Sequence, residues 1–291
     1  MKRLLAVIVL LLPAFAPAQT PVPELASADL DNYARKVLAD WHAPGVAVAV
    51  VKNDKVIFIR GYGVREVGKP EPVDEHTVFD IASCSKAFTA AALAILVDQG
   101  KVRWNDPVSK FLPNFQLSDP FVTRELTVRD LLCHRSGLGT FAGDLVWYNT
   151  NYDRAEVLRR ARFLKPTTSF RSAFGYQNIL FLAAGEIVPG VSGQSWDDFV
   201  RDRIFAPLGM TTAVTRTRDC PSNAATPHAV KADKAVAVPR YNADSVAPAA
   251  GVHASVDDLA KWLRLQLGMG EFEGKRIYSP SAARQMWTPQ T

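Results

Sequence analysis

Two β-rich runs, Val46 to Val51 and Lys55 to Tyr62, flank Asn53-Asp54. Two such runs around a short turn are a hairpin signal. A two-stranded hairpin is not stable alone in water; it needs further strands, or a helix packed on one face. After residue 62 the sequence offers few obvious strands, so the chain reads as a hairpin followed by a long helical region.

The helical region is punctuated clearly. Before the hairpin, Leu30, Tyr33, Val37, Leu38 and Trp41 recur at helical spacing across residues 27 to 41. From Ser83 to Gln99 the chain is Ala-rich and strongly helical, with Gly100 as a natural stop. Thr127-Val128-Arg129-Asp130 resembles a capping box that opens a short helix. Further helices are expected over 153–163, 176–187 and 195–205, and over Ser255 to Gly268, where Ser255 caps and Asp257 and Asp258 occupy the first turn. Residues 212 to 248 are the least regular and read as surface loop. No repeat or low-complexity tract is present.

The first residues read as a targeting signal. Lys2 and Arg3 precede an apolar run, Leu4 to Leu12, that is too short to span a bilayer, and Ala16-Pro17-Ala18 supplies a small-x-small cleavage pattern. Removing residues 1–18 from 291 leaves 273, and losing Lys2 and Arg3 takes the formal charge from +5 to +3. The expectation is an exported, secreted protein of the bacterial periplasm, with a signal peptide at 1–18 and one domain over 19–291. No stable membrane span is expected after signal removal. No dense Lys/Arg run is present, so nucleic acid is not an expected partner. Three cysteines, Cys84, Cys133 and Cys220, exclude a disulfide framework and leave room for one bridge.

Ser83-Cys84-Ser85-Lys86 lies between a β-rich lead-in and an apolar helix. If that helix starts at Ser83, Ser83 and Lys86 share one face. Ser83 would then sit at a helix N-terminus that favours developing negative charge. A serine hydroxyl needs an adjacent base, and a lysine serves only if burial or neighbouring charge lowers its pKa. With 15 serines and 13 lysines in the chain, S-x-x-K is expected by chance roughly once. Alone it reads as a serine cap followed by a surface lysine. Tyr176-Gln177-Asn178 is the chain's single Y-x-N and precedes another apolar helix. A tyrosine phenol can shuttle a proton, and an asparagine two residues on can bond both substrate and lysine. Alone, this pair reads as a buried tyrosine beside a helix-capping asparagine.

Together these pieces resemble the serine β-lactamase and penicillin-binding-protein superfamily, in its class C β-lactamase and esterase branch, for which S-x-x-K is a known signature. The stretches that carry the resemblance are Pro44 to Val48, Phe79 to Lys86, Leu131 to Leu138, Phe205 to Met210, Ala249 to Ser255 and Asp258 to Ala260. It implies an α+β, β-lactamase-like fold: an antiparallel sheet flanked by helices, plus a helical region. It also implies Ser83 as acylated nucleophile, Lys86 and Tyr176 sharing the proton traffic, and Asn178 positioning substrate. The backbone N–H of Ser83 would be one oxyanion donor. No cofactor and no metal are implied. The family's third motif, K-T-G or H-x-G on a central strand, has no counterpart: no histidine or lysine is followed two positions later by glycine. The expectation is a family domain incomplete at its C-terminus, lacking the last strands.

The expected function is acyl transfer through an acyl-enzyme on a small-molecule or peptide substrate with an ester, amide or β-lactam bond. The competing expectation is a non-catalytic binding or scaffold protein on the same fold. Cys84 reads as a small packed helix residue, His134 as a structural hydrogen-bonding group, and Ser85 as pointing away from the Ser83–Lys86 face. Trp147 and Tyr148 are candidate pocket walls.

Overall fold

The computed structural model describes residues 27–290. The expected signal peptide at 1–18 lies outside them. Strands β1 (Gly45–Lys52) and β2 (Lys55–Gly63) pair antiparallel, with Gly45 opposite Gly63 and Lys52 opposite Lys55. Asn53 and Asp54 both take positive φ, 51° and 59°. That is the turn whose twist matches the strands it joins, and Asn and Asp adopt it at low cost. Helix α1 (Ser27–Asp40) supplies the cover the hairpin needs. Its Ala34 packs with Phe58 and Tyr62, bordered by Leu30, Leu38, Val46, Val48 and Val50. Asp31 on α1 accepts the Tyr62 hydroxyl at 2.8 Å. The helix Val256–Leu267 also packs on β1.

The larger core is helical and centres on α2 (Ser85–Asp98). Ser85, Lys86, Phe88, Thr89 and every residue from Ala91 to Leu96 are buried. A helix buried on all sides needs partners on all sides. Here they are Ile179–Ser192, Ala247–Ala250 and Pro280–Trp287. Three side chains of α2 tie it to the 247–252 segment. Thr89 donates to Pro248 O at 2.6 Å, Lys86 donates to Ala249 O at 3.0 Å, and Ser85 accepts Val252 N–H at 2.9 Å.

The capping box forms as the sequence predicts: Thr127 accepts from Asp130 N–H, and the Asp130 carboxylate accepts the Thr127 N–H. Two findings depart from the sequence reading. First, the β-rich lead-in to Ser83 forms β3 (Val78–Asp80) as read, but its antiparallel partner is the unread strand His253–Ser255, Asp80 standing opposite His253. Three-residue strands so far apart in sequence leave no periodic signal. Second, the stretch read as surface loop contains an exposed hairpin, His228–Lys231 with Lys234–Ala237. Its turn residues Ala232 and Asp233 take positive φ without the glycine that usually announces such a turn.

Gly185, in the helix Ile179–Ser192, lets Pro248 approach: a Cβ there would lie 2.4 Å from Pro248 Cγ. Gly185→Ala should therefore push on the segment that also holds Lys86. The expected cost is about 1–3 kcal/mol of stability, as for overpacking generally. Chemical denaturation of Gly185→Ala beside the unaltered chain checks this, and an unchanged midpoint would show that the contact relaxes freely.

Candidate active site

Ser83 lies in a 3₁₀ turn, Ala82–Cys84, that runs directly into α2. The α-helix therefore begins two residues later than the sequence suggests. Ala82 takes φ +44°, the left-handed region. A non-glycine residue there carries strain, held by the surrounding structure. The strained corner is anchored on both sides, by Ile81 N–H to Val252 O at 3.1 Å and by Ser85 Oγ to Val252 N–H. Ser83 is left exposed while Ser85 and Lys86 are buried. Cys84 is exposed too, so it is not the packed helix residue the sequence suggests, and all three cysteines are free.

The four predicted residues meet at one point. Lys86 Nζ donates to Ser83 Oγ at 3.1 Å and to Asn178 Oδ1 at 2.7 Å, besides Ala249 O. The Tyr176 hydroxyl donates to Ser83 Oγ at 2.6 Å. Lys86 Nζ also stands 4.7 Å from the centre of the Tyr176 ring. Asn178 occupies the N-cap position of the helix Ile179–Ser192 but makes no capping bond. Its amide is turned inward instead, onto Lys86 and onto Asp144, whose two oxygens accept Asn178 Nδ2–H at 3.1 and 3.0 Å.

Burial lowers the Lys86 pKa to about 8; the opposing pull of Asp144, and then of Cys84, is weaker. At pH 7 roughly one molecule in ten then carries a neutral amine able to take a proton. Burial and then the nearby Lys86 charge push His134 down to about 4. A neutral His134 accepts Gln177 N–H on Nδ1 at 3.0 Å, and its ring stacks on Tyr176 with centres 4.5 Å apart. It is the structural group the sequence suggested.

The Tyr176 loop is held by its neighbour. Arg171 grips the buried Asp130 with bonds of 2.6 and 3.0 Å. Gly175 N–H reaches His134 O at 2.7 Å, and Phe141 N–H reaches Tyr176 O at 2.8 Å. Gly175 is required there, since a Cβ would fall 2.0 Å from Leu138 O. Trp147 is buried and donates its indole N–H to Asp144 at 3.1 Å. Tyr148 is exposed and stacks on Tyr241, ring centres 4.9 Å apart. These two rings border an open cleft of about 1020 Å³ together with Arg154 and Arg240.

Among the described residues one grouping has metal-ligand chemistry: Asp80, Cys220 and His253, with donor atoms within 4.8 Å of one another. Arg240 is already paired with Asp80, and His253 Nδ1 is bonded to the same carboxylate. The grouping therefore reads as an ion-pair network at the strand that leads into the Ser83 turn. Burial disfavours charge on His253, but the hydrogen bond and charge of Asp80 and the neighbouring Cys220 together outweigh it and push the ring up to about 9. Its folded pKa exceeds its unfolded value, so this stabilisation is complete below about pH 6.5 and is lost as pH rises through about 9. The loss should reach up to about 3 kcal/mol. His253→Gln should flatten that part of a stability–pH curve; an unchanged curve would contradict the ion pair.

Comparison with known proteins identifies the family and the fold. The Beta-lactamase family model matches residues 30–291. The chain belongs to the β-lactamase family. Unguisins hydrolase ungD' of Aspergillus campestris is 28% identical over 283 residues, 90% of this chain and 50% of that protein. Protein flp of Staphylococcus aureus strain N315 is 28% identical over 82% of this chain and 48% of its own length. The chain thus spans about half the length of the curated relatives it matches. The octameric penicillin-binding protein homologue from Pyrococcus abyssi superposes with a TM-score of 0.79 at 26% identity, covering 91% of this chain and 60% of that one. The D-amino acid amidase from Ochrobactrum anthropi SV3 shares the fold, with a TM-score of 0.74 at 24% identity over 88% of this chain and 74% of its own. The β-lactamase-like α+β fold expected from the motifs is the fold observed.

Proposed function

We propose that this chain carries the acylating centre of an exported serine hydrolase that works through an acyl-enzyme on ester and amide bonds. The observation that carries the reading is the placement of Ser83 Oγ within hydrogen-bonding reach of both Lys86 Nζ and Tyr176 Oη. As Ser83 attacks a carbonyl carbon, its proton passes to the Lys86–Tyr176 pair. The new bond joins Oγ to that carbon and leaves an oxyanion. When the tetrahedral species collapses, the carbon–heteroatom bond breaks and the held proton goes to the leaving group. Water, deprotonated by the same pair, then adds to the acyl carbon; the Ser83 Oγ–carbon bond breaks, the proton returns to Oγ, and the acid leaves. Lys86 and Tyr176 are coupled through Ser83, so proton traffic belongs to the pair rather than to either group.

One relative is named an unguisins hydrolase and one structural neighbour a D-amino acid amidase; these names support hydrolysis, with amide bonds among the candidate substrates. Export rests on the basic, short, Ala-rich leader. A panel of a p-nitrophenyl ester, D-amino-acid amides and a chromogenic cephalosporin tests the substrate class. The ester should turn over fastest and the cephalosporin slowest. Preferred turnover of the cephalosporin would reverse the ranking and make the chain a β-lactamase.

A further inference from the structure

We propose that Asp144 is a positioning residue for acyl transfer: its carboxylate fixes the Asn178 amide so that the carbonyl oxygen, and not the amide nitrogen, faces Lys86. This rests on the reading of Ser83 as nucleophile given above. A carboxylate only accepts hydrogen bonds. With both oxygens against Asn178 Nδ2, the amide has one orientation, which leaves Oδ1 for Lys86 at 2.7 Å. The reversed amide would aim an N–H at Lys86. It would repel the ammonium form and occupy the lone pair that the neutral amine needs for the Ser83 proton.

Three further observations support the assignment. Asn178 forgoes the helix cap that its position offers. Asp144 is itself held by the Trp147 indole N–H at 3.1 Å. Gly143, at φ +90°, lets the Asp144 turn close on the helix of Asn178; a Cβ there would lie 2.5 Å from Ile179 Cδ1. Asp144 also acts on Lys86 through its charge. The other titratable or charged groups near Lys86 are Cys84, Tyr176, His134 and, lining an adjoining cavity, Cys133 and Arg129. Of these, Asp144 is the largest influence that favours the protonated amine.

The test compares Asp144→Ala and Asp144→Asn with the unaltered chain. The readouts are the pH profile of Ser83 acylation by an activated ester, the Lys86 titration followed by NMR of labelled lysine, and thermal unfolding. Asp144→Ala should slow acylation on the high-pH plateau roughly ten- to a hundredfold. Both variants should shift the Lys86 midpoint to lower pH. Asp144→Asn keeps an acceptor for Asn178 and should lose less on the plateau. A lowered melting temperature with plateau rate and Lys86 midpoint unchanged would overturn the proposal, because it would make Asp144 merely structural. Ser83→Ala is the control. If it still acylates, the nucleophile assignment falls, while the Lys86 titration still decides the role of Asp144.

Discussion

Ser83→Ala is expected to abolish acyl transfer to an activated ester and leave the fold standing. Ser83 Oγ is the one atom on which the Lys86 ammonium and the Tyr176 hydroxyl converge, at 3.1 and 2.6 Å. Without it, neither group has a nucleophile to serve, and loss of at least about a thousandfold in rate is the ordinary result for a catalytic nucleophile. The stability effect should be small. Ser83 is exposed, and Ile81, Ser85 and Lys86 hold the corner independently of its side chain. An exposed substitution of this kind changes stability by about 0.5 kcal/mol or less. Unchanged turnover of the ester would end the assignment of Ser83; collapse of the fold would show that the hydroxyl is structural.

Lys86→Met is expected to have a comparable effect on rate and a second effect on stability that Ser83→Ala lacks. Lys86 is 8% exposed, and burial is the main cause of its pKa of about 8. Between about pH 8 and the unfolded value near 10.5 the unfolded chain binds a proton that the folded one does not, so stability must rise with pH across that window. The rise should amount to at most about 3 kcal/mol. It should be missing in Lys86→Met, read by urea denaturation at pH 7.5 and pH 10.5. The His253 ion pair acts in the opposite direction over about pH 6.5 to 9, so the two variants separate the contributions. The acid limb of the acylation profile should sit near pH 8, because the reaction needs the neutral amine. Were the pH dependence of stability the same in Lys86→Met, the buried amine would not be the group that titrates.

What the sequence made legible was chemistry tied to local spacing. Ser83 and Lys86 are three residues apart, and Tyr176 and Asn178 two, so short patterns found them. The hairpin was legible because Asn53-Asp54 fits the turn it makes, and the Thr127 capping box because its donors and acceptors lie within one turn. Asp144 was not legible. It is one of 29 acidic residues and meets Asn178 only after the chain has folded back over 34 positions. The pairing of β3 with His253–Ser255 was hidden for the same reason, and with it the Asp80–His253–Arg240 network. The inward turn of Asn178 also departs from local rule: propensity alone makes it a helix cap, and the buried Lys86 and Asp144 draw it away.

The central claim is that these side chains, as they stand in this chain, activate Ser83. The direct measurement is peptide mapping by mass spectrometry after brief incubation with a p-nitrophenyl ester, on the unaltered chain and on Ser83→Ala and Cys84→Ala. The predicted result is one acyl adduct on Ser83, absent in Ser83→Ala and retained in Cys84→Ala. An adduct that persists in Ser83→Ala or moves to the exposed Cys84, or no adduct at any pH from 7 to 10, would contradict the claim.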